Sequence, residues 1–295
     1  MTSLLRKVKT RLAIHAHRKV RGMLEGEYTS VFHGRSIEFD DLRHYVPGDE
    51  VKDIDWKATA RMGTPMTRRY IASRKHTVLL VTDTGRNMAA VAASGEQKID
   101  IAILAAGVVG YLAARHGDLV AILAGDAEQT EYRGPESTDA HLERLLQLMA
   151  SRTTLGSGRS DLSTQLAYVA RGFRRRMILV VIADDRVIDQ VQRRLLRRLS
   201  AQHEILWLTV GDADPTRADW SAGGMYEVAD GAELPRAVRS QRHLREEFAE
   251  AALARTAAAD ELFDSLAISS GRVEAETDVI PGLFRLLEGH RHARR

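Results

Sequence analysis

The sequence predicts an α/β protein in which a parallel β-sheet is covered by helices on both faces. Short apolar stretches that suit buried strands alternate with amphipathic helical stretches along residues 76–210. Three of the apolar stretches are followed within two residues by an acid, namely Asp83, Asp184 and Asp212. Ligands of such sheets bind beyond the carboxyl ends of the strands, so these acids mark the edge at which we expect a site.

Composition and charge narrow the class of protein further. The chain has 295 residues, of which 44% are apolar and 28% are charged, which suits about two domains with a sizeable core. The absence of cysteine excludes disulfides, thiolate zinc sites and cysteine nucleophiles. No apolar run reaches the roughly 20 residues of a membrane helix, and the basic N-terminus lacks the apolar core of a secretory signal. We therefore expect a cytoplasmic protein without a transmembrane segment.

Hydrophobic periodicity predicts the individual elements. Apolar residues at every fourth position predict a basic amphipathic helix over residues 3–24. Short apolar stretches and the turn-forming pair Pro47-Gly48 then predict a small β-rich module. The alternating part predicts strands at 76–82, 119–124, 128–132, 177–182, 204–210 and 225–228, and helices at 98–116, 139–150, 161–172, 186–201 and 234–266.

These patterns divide the chain into four expected parts. Residues 1–26 form the basic helix, and residues 27–74 form the β-rich module. Residues 75–232 form the α/β domain, and residues 233–295 form a C-terminal helical segment that packs back on the body.

Oxygen-bearing side chains gather on three loops at the predicted sheet edge. Asp83 and Asn87 share the loop after the first central strand, Ser160 precedes a helix, and Asp184 ends a neighbouring strand. Mg²⁺ prefers oxygen ligands in an octahedral arrangement. Residues of these types also cap turns and helix N-termini, so spacing alone leaves both roles open.

The segment from Gly34 to Arg61 is the most specific stretch of the chain. It reads GRSIEFDDLRHYVPGDEVKDIDWKATAR and resembles the signature of the bacterial domain of unknown function 58 family, with Gly-x-x-x-Glu-Phe, Leu-Arg-x-Tyr, Gly-Asp, Ile-Asp-Trp and Ala-Arg in order. We expect partner contacts from its signature residues Arg43, Tyr45, Asp49, Asp53, Asp55, Trp56 and Arg61.

This signature also has a local physical interpretation. Its acids can form a salt-bridge and turn network with the nearby bases Arg43, Arg61 and Arg68, while Tyr45 and Trp56 can anchor the small module on the larger domain. The pair Asp53 and Asp55 also suits acid–base chemistry, but two acids at this spacing on a strand need no catalytic role. The structural network is the interpretation that we favour.

The resemblance further implies a von Willebrand factor A-like domain with a metal-ion-dependent adhesion site in the second half of the chain. That site carries Asp-x-Ser-x-Ser, then Thr, then Asp on successive loops. Transferred to this sequence, it makes Asp83, Asn87, Ser160 and Asp184 the candidate ligands of Mg²⁺, with Asp185 as the alternative for the last position. Gly85 stands where the first serine belongs and removes one direct ligand, so a vestigial site with only a structural role is the alternative.

The function implied by the resemblance is that of a non-catalytic adaptor. Family members are associated with MoxR-type AAA+ ATPases, which implies such an ATPase and a client protein as partners, with specificity from loops such as residues 152–160. A metal-dependent hydrolase or phosphotransferase is one alternative. It requires a lysine or equivalent electrophile near the acids, and the strand-end loops offer only Arg86. Nucleic-acid or membrane-surface binding through the basic N-terminal helix is the other, although a net charge of +3 does not lead us to expect a nucleic-acid partner.

Overall fold

Strands and helices alternate along most of the described chain. The computed structural model describes residues 3–15, 25–26, 28, 37–46, 49–72, 75–213, 226–233 and 241–293. The strands in these residues are β1 (Ile37–His44), β2 (Met66–Ala72), β3 (Thr77–Asp83), β4 (Leu119–Gly125), β5 (Thr130–Glu136), β6 (Ile178–Asp184), β7 (Glu204–Val210) and β8 (Ser269–Val273). The helices are α1 (Leu4–His15), α2 (Trp56–Met62), α3 (Lys98–Arg115), α4 (Asp139–Arg152), α5 (Leu162–Gly172), α6 (Gln190–Ser200), α7 (Arg242–Ser265) and α8 (Glu276–Ala293).

Six of the strands form one sheet in the order β5-β4-β3-β6-β7-β8. Only β4 and β5 pair in the antiparallel sense, and the other neighbours in this sheet are parallel. The predicted α/β class with a mostly parallel sheet is therefore confirmed.

The central strands are buried on both faces because alternate side chains enter two different cores. Val78 and Leu80 of β3 join the core formed with α1, α3, α4 and α8, whereas Leu79 and Val81 join the core under α5, α6 and α7. Within the described residues, no helix combines the length and the apolar character needed to cross a bilayer. The double burial explains why the strands have continuous apolar sequences instead of alternating ones.

The last strand lies later in the chain than the sequence predicts. At the predicted strand 225–228, the described residues show a single bridge between Tyr226 and Glu233. The strand beside β7 is instead β8, in the segment that was expected to be helical. Its sequence SSGRV has no apolar run, because an edge strand with four partly exposed residues does not need one.

The small module consists of the antiparallel pair β1 and β2, the one-turn 3₁₀ helix Val51–Asp53, and α2. The Asp55 carboxylate caps α2 by accepting hydrogen bonds from two backbone N–H groups of its first turn, both at 3.0 Å. Gly63 ends the helix with a φ of +73°, which glycine adopts without strain. The sequence predicted the β-strands of this module but not its helix.

Helix α1 packs on the body of the protein. Its residues Leu5, Val8 and Leu12 are buried in the core that contains α3 and α4. A Cβ atom at Gly107 of α3 would lie 2.5 Å from a methyl carbon of Val8, so the glycine permits the close approach of the two helices. The predicted amphipathic helix is thus present up to His15, and residues 16–24 lie outside the described part.

The Glu143 side chain of α4 caps the N-terminus of α1. Its carboxylate accepts hydrogen bonds from the Leu4 N–H at 3.0 Å, from the Leu5 N–H at 2.8 Å and from the Ser3 hydroxyl at 2.8 Å. Burial raises the pKa of Glu143, but a hydrogen bond from the Gln147 side chain together with these three holds the pKa below its ordinary value. A carboxylate at a helix N-terminus also interacts favourably with the helix dipole.

The basic residues of α1 form ion pairs with the body. Lys7 and Arg11 both bind the Glu276 carboxylate, at 2.5 and 2.8 Å, and Lys9 binds Asp139 at 2.5 Å. Three of the basic side chains that suggested a nucleic-acid or membrane surface therefore face acids of the same chain, and the bases among residues 16–24 lie outside the described part.

We expect Glu143→Ala to loosen α1. The substitution removes the acceptor of four hydrogen bonds, three of them from residues 3–5, and should lower the free energy of unfolding by about 1–2 kcal/mol, measured by urea denaturation. Amide hydrogen exchange should accelerate at residues 4–8. The control Glu250→Ala, at an exposed position of α7, should leave both measurements unchanged. Equal behaviour of the two variants would contradict the capping role.

Candidate functional site

The four predicted ligand residues meet at the carboxyl edge of the sheet. Asp83 and Asp184 end the adjacent parallel strands β3 and β6. The Asn87 side-chain amide donates a hydrogen bond to Asp184 Oδ2 at 2.9 Å. The Ser160 hydroxyl is close enough to Asp83 to lower its pKa, although it makes no hydrogen bond of normal geometry. The sequence therefore identified a real cluster of oxygen-bearing side chains.

A lysine that the sequence analysis did not assign lies in the same cluster. Lys98, the first residue of α3, is fully buried, and its ammonium donates hydrogen bonds to Asp184 Oδ1 and, at 2.5 Å, to Asp212 Oδ1. The Asp212 side chain is about half exposed. A lysine at the start of a helix normally indicates a solvated position, so only the folded arrangement reveals this contact.

The charges of the cluster shift one another's pKa values. Burial lowers the pKa of Lys98, but the charges of Asp184 and Asp212 outweigh burial and raise that pKa above its ordinary value. Burial raises the pKa of Asp83 to about 6, and the Asp184 charge adds to this effect. Burial and the Asp184 charge also raise the pKa of Asp212 to about 6. The three acids Asp83, Asp184 and Asp212 therefore share the single positive charge of Lys98.

Gly85 is enclosed by the loop that precedes α5. A Cβ atom at this position would lie 2.5 Å from both Cα and Oγ of Ser160. The Gly85 N–H donates to Asp83 Oδ1 at 2.8 Å, and the next residue, Arg86, donates its N–H to the Gly158 carbonyl at 2.9 Å. The position where the adhesion site carries its first serine therefore has no room for any side chain.

The arrangement of these side chains does not fit a magnesium ion. Both carboxylate oxygens of Asp184 already accept hydrogen bonds: Oδ1 from Lys98 and the Asp185 N–H, and Oδ2 from Asn87. Asp83 already uses Oδ1 to accept the Gly85 N–H, and Asn87 Oδ1 and Ser160 Oγ are buried without a hydrogen-bond partner. One partly engaged carboxylate and two neutral oxygens are a poor ligand set for this ion. The Lys98 ammonium, which contacts Asp184 and Asp212, would also repel a divalent cation bound to the same carboxylates.

Ion pairs and hydrogen bonds also connect the other residues of the sheet edge. Arg272 of β8 binds Asp185 at 2.7 Å and Glu274 at 3.0 Å. The loop that was expected to confer specificity is held by Asp126, whose Oδ2 accepts the Gly158 N–H at 3.0 Å. Within this loop, Leu155 is 68% exposed. The edge thus combines fixed acids with an apolar side chain that faces solvent.

The acids among the signature residues make contacts within the small module, whereas other signature residues are partly or fully exposed. Asp49 binds the Arg43 guanidinium at 2.5 Å and accepts the Val46 N–H at 3.0 Å, which confirms this pair of the predicted network. Asp55 caps α2, Asp53 closes the 3₁₀ helix, Tyr45 is half-buried, and Arg61 is exposed. The Arg68 side chain lies outside the described part.

Trp56 does not anchor the small module as the sequence led us to expect. Its side chain is 66% exposed, because Trp56 follows the capping Asp55 on the outer side of α2. The apolar residues Val51 and Met62 of the same module are 64% and 63% exposed. The acids of the signature therefore form contacts within the module, while Trp56, Val51 and Met62 face solvent.

Restoring the serine of the adhesion-site pattern should harm this protein. We expect Gly85→Ser to lower the free energy of unfolding by about 2 kcal/mol or more, because the new Cβ atom meets the backbone of Ser160. The control Gly134→Ser has open space around the glycine and should have little effect. Denaturant unfolding measures both. A Gly85→Ser protein as stable as the control would contradict the close packing described here.

Stability should depend on pH through Asp83. Its pKa is raised in the folded state, so the folded protein binds this proton more tightly, and the associated stability is present at low pH and lost as the pH rises through about 6. Relative to Asp83→Asn, the wild type should lose up to about 3 kcal/mol between about pH 4 and pH 7. Parallel pH profiles of the two unfolding free energies would contradict this assignment.

Solved structures resemble this chain at low sequence identity. An aerotolerance-related membrane protein from Bacteroides fragilis aligns with a TM-score of 0.44 and 13% identity, over 72% of this chain and 99% of the other. A von Willebrand factor type A protein from Catenulispora acidiphila aligns with a TM-score of 0.41 and 12% identity, over 77% of this chain and 44% of the other.

Sequence relatives cover more of the chain at higher identity. The uncharacterized proteins Rv1480 of Mycobacterium tuberculosis and Mb1516 of Mycobacterium bovis are each 31% identical to it over 251 residues, which is 83% of this chain and 77% of each relative. The profile of the family described as "Protein of unknown function DUF58" matches residues 41–258. The family resemblance inferred from the signature is confirmed, and the chain belongs to the DUF58 family.

Proposed function

We propose that this chain is a non-catalytic interaction protein, an adaptor that works with a MoxR-type AAA+ ATPase on a client protein in the cytoplasm. Membership of the DUF58 family is consistent with the non-catalytic role in this proposal. The ATPase partner comes from the resemblance of the signature segment. The exposed surface of that segment is the observation on which the proposal rests.

Trp56 carries the argument for a docking surface. Tryptophan is a large side chain that is enriched in the energetic centres of protein interfaces, and here it is 66% exposed on a helix whose cap fixes its position. Val46, Val51 and Met62, all in the same module, are also more than half exposed. A small module that directs several large apolar side chains to solvent is typical of a protein-binding surface.

The sheet edge is our candidate surface for the client protein. Leu155 and Val187 lie on two loops of this edge, and each is 68% exposed. Between these loops the acids of the cluster contribute negative charge, and Asp212 is about half exposed. A client with apolar and basic side chains would match this surface.

The structure contains a lysine of the kind that the hydrolase alternative requires, but the groups that would react are buried. Lys98 is the electrophile that this alternative requires, yet it is fully buried against Asp184 and Asp212. Asp83, the candidate nucleophile, is 3% exposed. A substrate would therefore have to displace this ion-paired arrangement before it could reach either group.

The nucleic-acid and membrane alternatives receive no support from α1. Its apolar face is buried, and Lys7, Lys9 and Arg11 are paired with acids of the same chain. We therefore leave nucleic acid out of the proposed partners.

The docking surface can be tested with a MoxR-type ATPase from the same genome. Biolayer interferometry should show binding to the wild type, and Trp56→Ser should weaken it by about thirtyfold, as expected for the loss of an interface centre. The control Leu253→Ser changes an equally exposed apolar residue on α7 and should bind like the wild type. Both variants should unfold at the wild-type temperature, since both side chains are already in water.

Two outcomes would contradict the proposal. A wild-type protein that does not bind the ATPase, in the presence or absence of nucleotide, would refute the partnership. Equal binding by Trp56→Ser and the wild type would refute the assigned surface.

A further inference from the structure

The Lys98 ammonium lies between two acids of the sheet edge, Asp184 and Asp212. We propose that its ammonium group is a built-in cation that replaces a divalent metal, so that this edge of the protein is formed and used without metal ions. The inference concerns the sheet edge and does not depend on the ATPase partnership.

The contacts of Lys98 support this role. Its ammonium bridges Asp184, at the end of β6, and Asp212, in the loop after β7. It therefore connects two neighbouring strand ends, as an ion with ligands from both would. The side chain is fully buried, which is rare for lysine and tolerated only when the charge is paired.

The backbone fixes the lysine in place. The Lys98 N–H donates a hydrogen bond to the Ala90 carbonyl at 3.0 Å, which closes the loop that begins after β3. Lys98 is also the first residue of α3, so its position follows from the folding of a largely buried helix. The ammonium group is covalently part of the chain, so a chelator cannot remove it.

The surrounding positions are consistent with an ammonium instead of a metal. Gly85 leaves no room for a side-chain oxygen, and Asn87 uses its amide N–H group to bind Asp184. Arg272 provides a second internal cation nearby, bound to Asp185 and Glu274. Four acids of this edge thus pair with bases of the same chain: Asp184, Asp185, Asp212 and Glu274.

Thermal unfolding of the full chain tests the proposal. The wild type should unfold at the same temperature in EDTA, in millimolar MgCl₂ and in millimolar MnCl₂. Lys98→Met, which keeps an unbranched side chain one atom shorter and removes the charge, should unfold about 10 °C lower in EDTA. MgCl₂ or MnCl₂ should recover part of this loss, because a divalent ion can then neutralise the acids. The exposed control Lys57→Met should behave like the wild type.

Several results would overturn the proposal. Saturable binding of Mg²⁺ or Mn²⁺ to the wild type by calorimetry, lost in Asp83→Ala, would show that the site holds a metal beside the lysine. Unfolding of Lys98→Met at the wild-type temperature would show that the ammonium has no structural role. Failure of both ions to recover that variant would show that the ammonium does not occupy a cation site. If Lys98→Met does not fold, the wild-type calorimetry decides the question alone.

Discussion

The sheet edge depends on the buried contact between the Lys98 ammonium and the Asp184 carboxylate. Each of the two charges is removed from water, and either one without the other would be strongly destabilising in the folded state. The pair joins the start of α3 to the end of β6, and Asp212 extends the contact to the loop after β7. Three chain segments that are distant in the sequence therefore meet at one charged contact.

Close packing of the loops follows from the same arrangement. Gly85 lies against the backbone of Ser160, and a Cβ atom at Gly158 would lie 2.9 Å from the carboxyl carbon of Asp126. These glycines allow the loop before α5 to cover the ends of β3 and β4. An edge built in this way presents a fixed surface, which costs little conformational entropy when a partner binds.

The architecture could be predicted from the sequence because its pattern of apolar and polar residues is regular. Continuous apolar strands that alternate with amphipathic helices indicate a parallel sheet buried on both faces, and the acids at the strand ends indicated the correct edge. Strand β8 was missed because a five-residue edge strand without an apolar run has no clear periodicity. The role of Lys98 was missed because its partners are 86 and 114 residues away. The exposure of Trp56 was missed because an aromatic residue beside a turn equally suggests an anchor in the core.

Our two proposals concern the exposed side of the small module and a sheet edge in which Lys98 and Arg272 pair with acids of the same chain. The most direct test is the anomalous diffraction of crystals grown with manganese chloride. Our account predicts no anomalous peak among Asp83, Ser160 and Asp184, and continuous electron density that places the Lys98 ammonium beside Asp184. A manganese peak coordinated by Asp83 and Asp184, with Lys98 turned away from them, would contradict it.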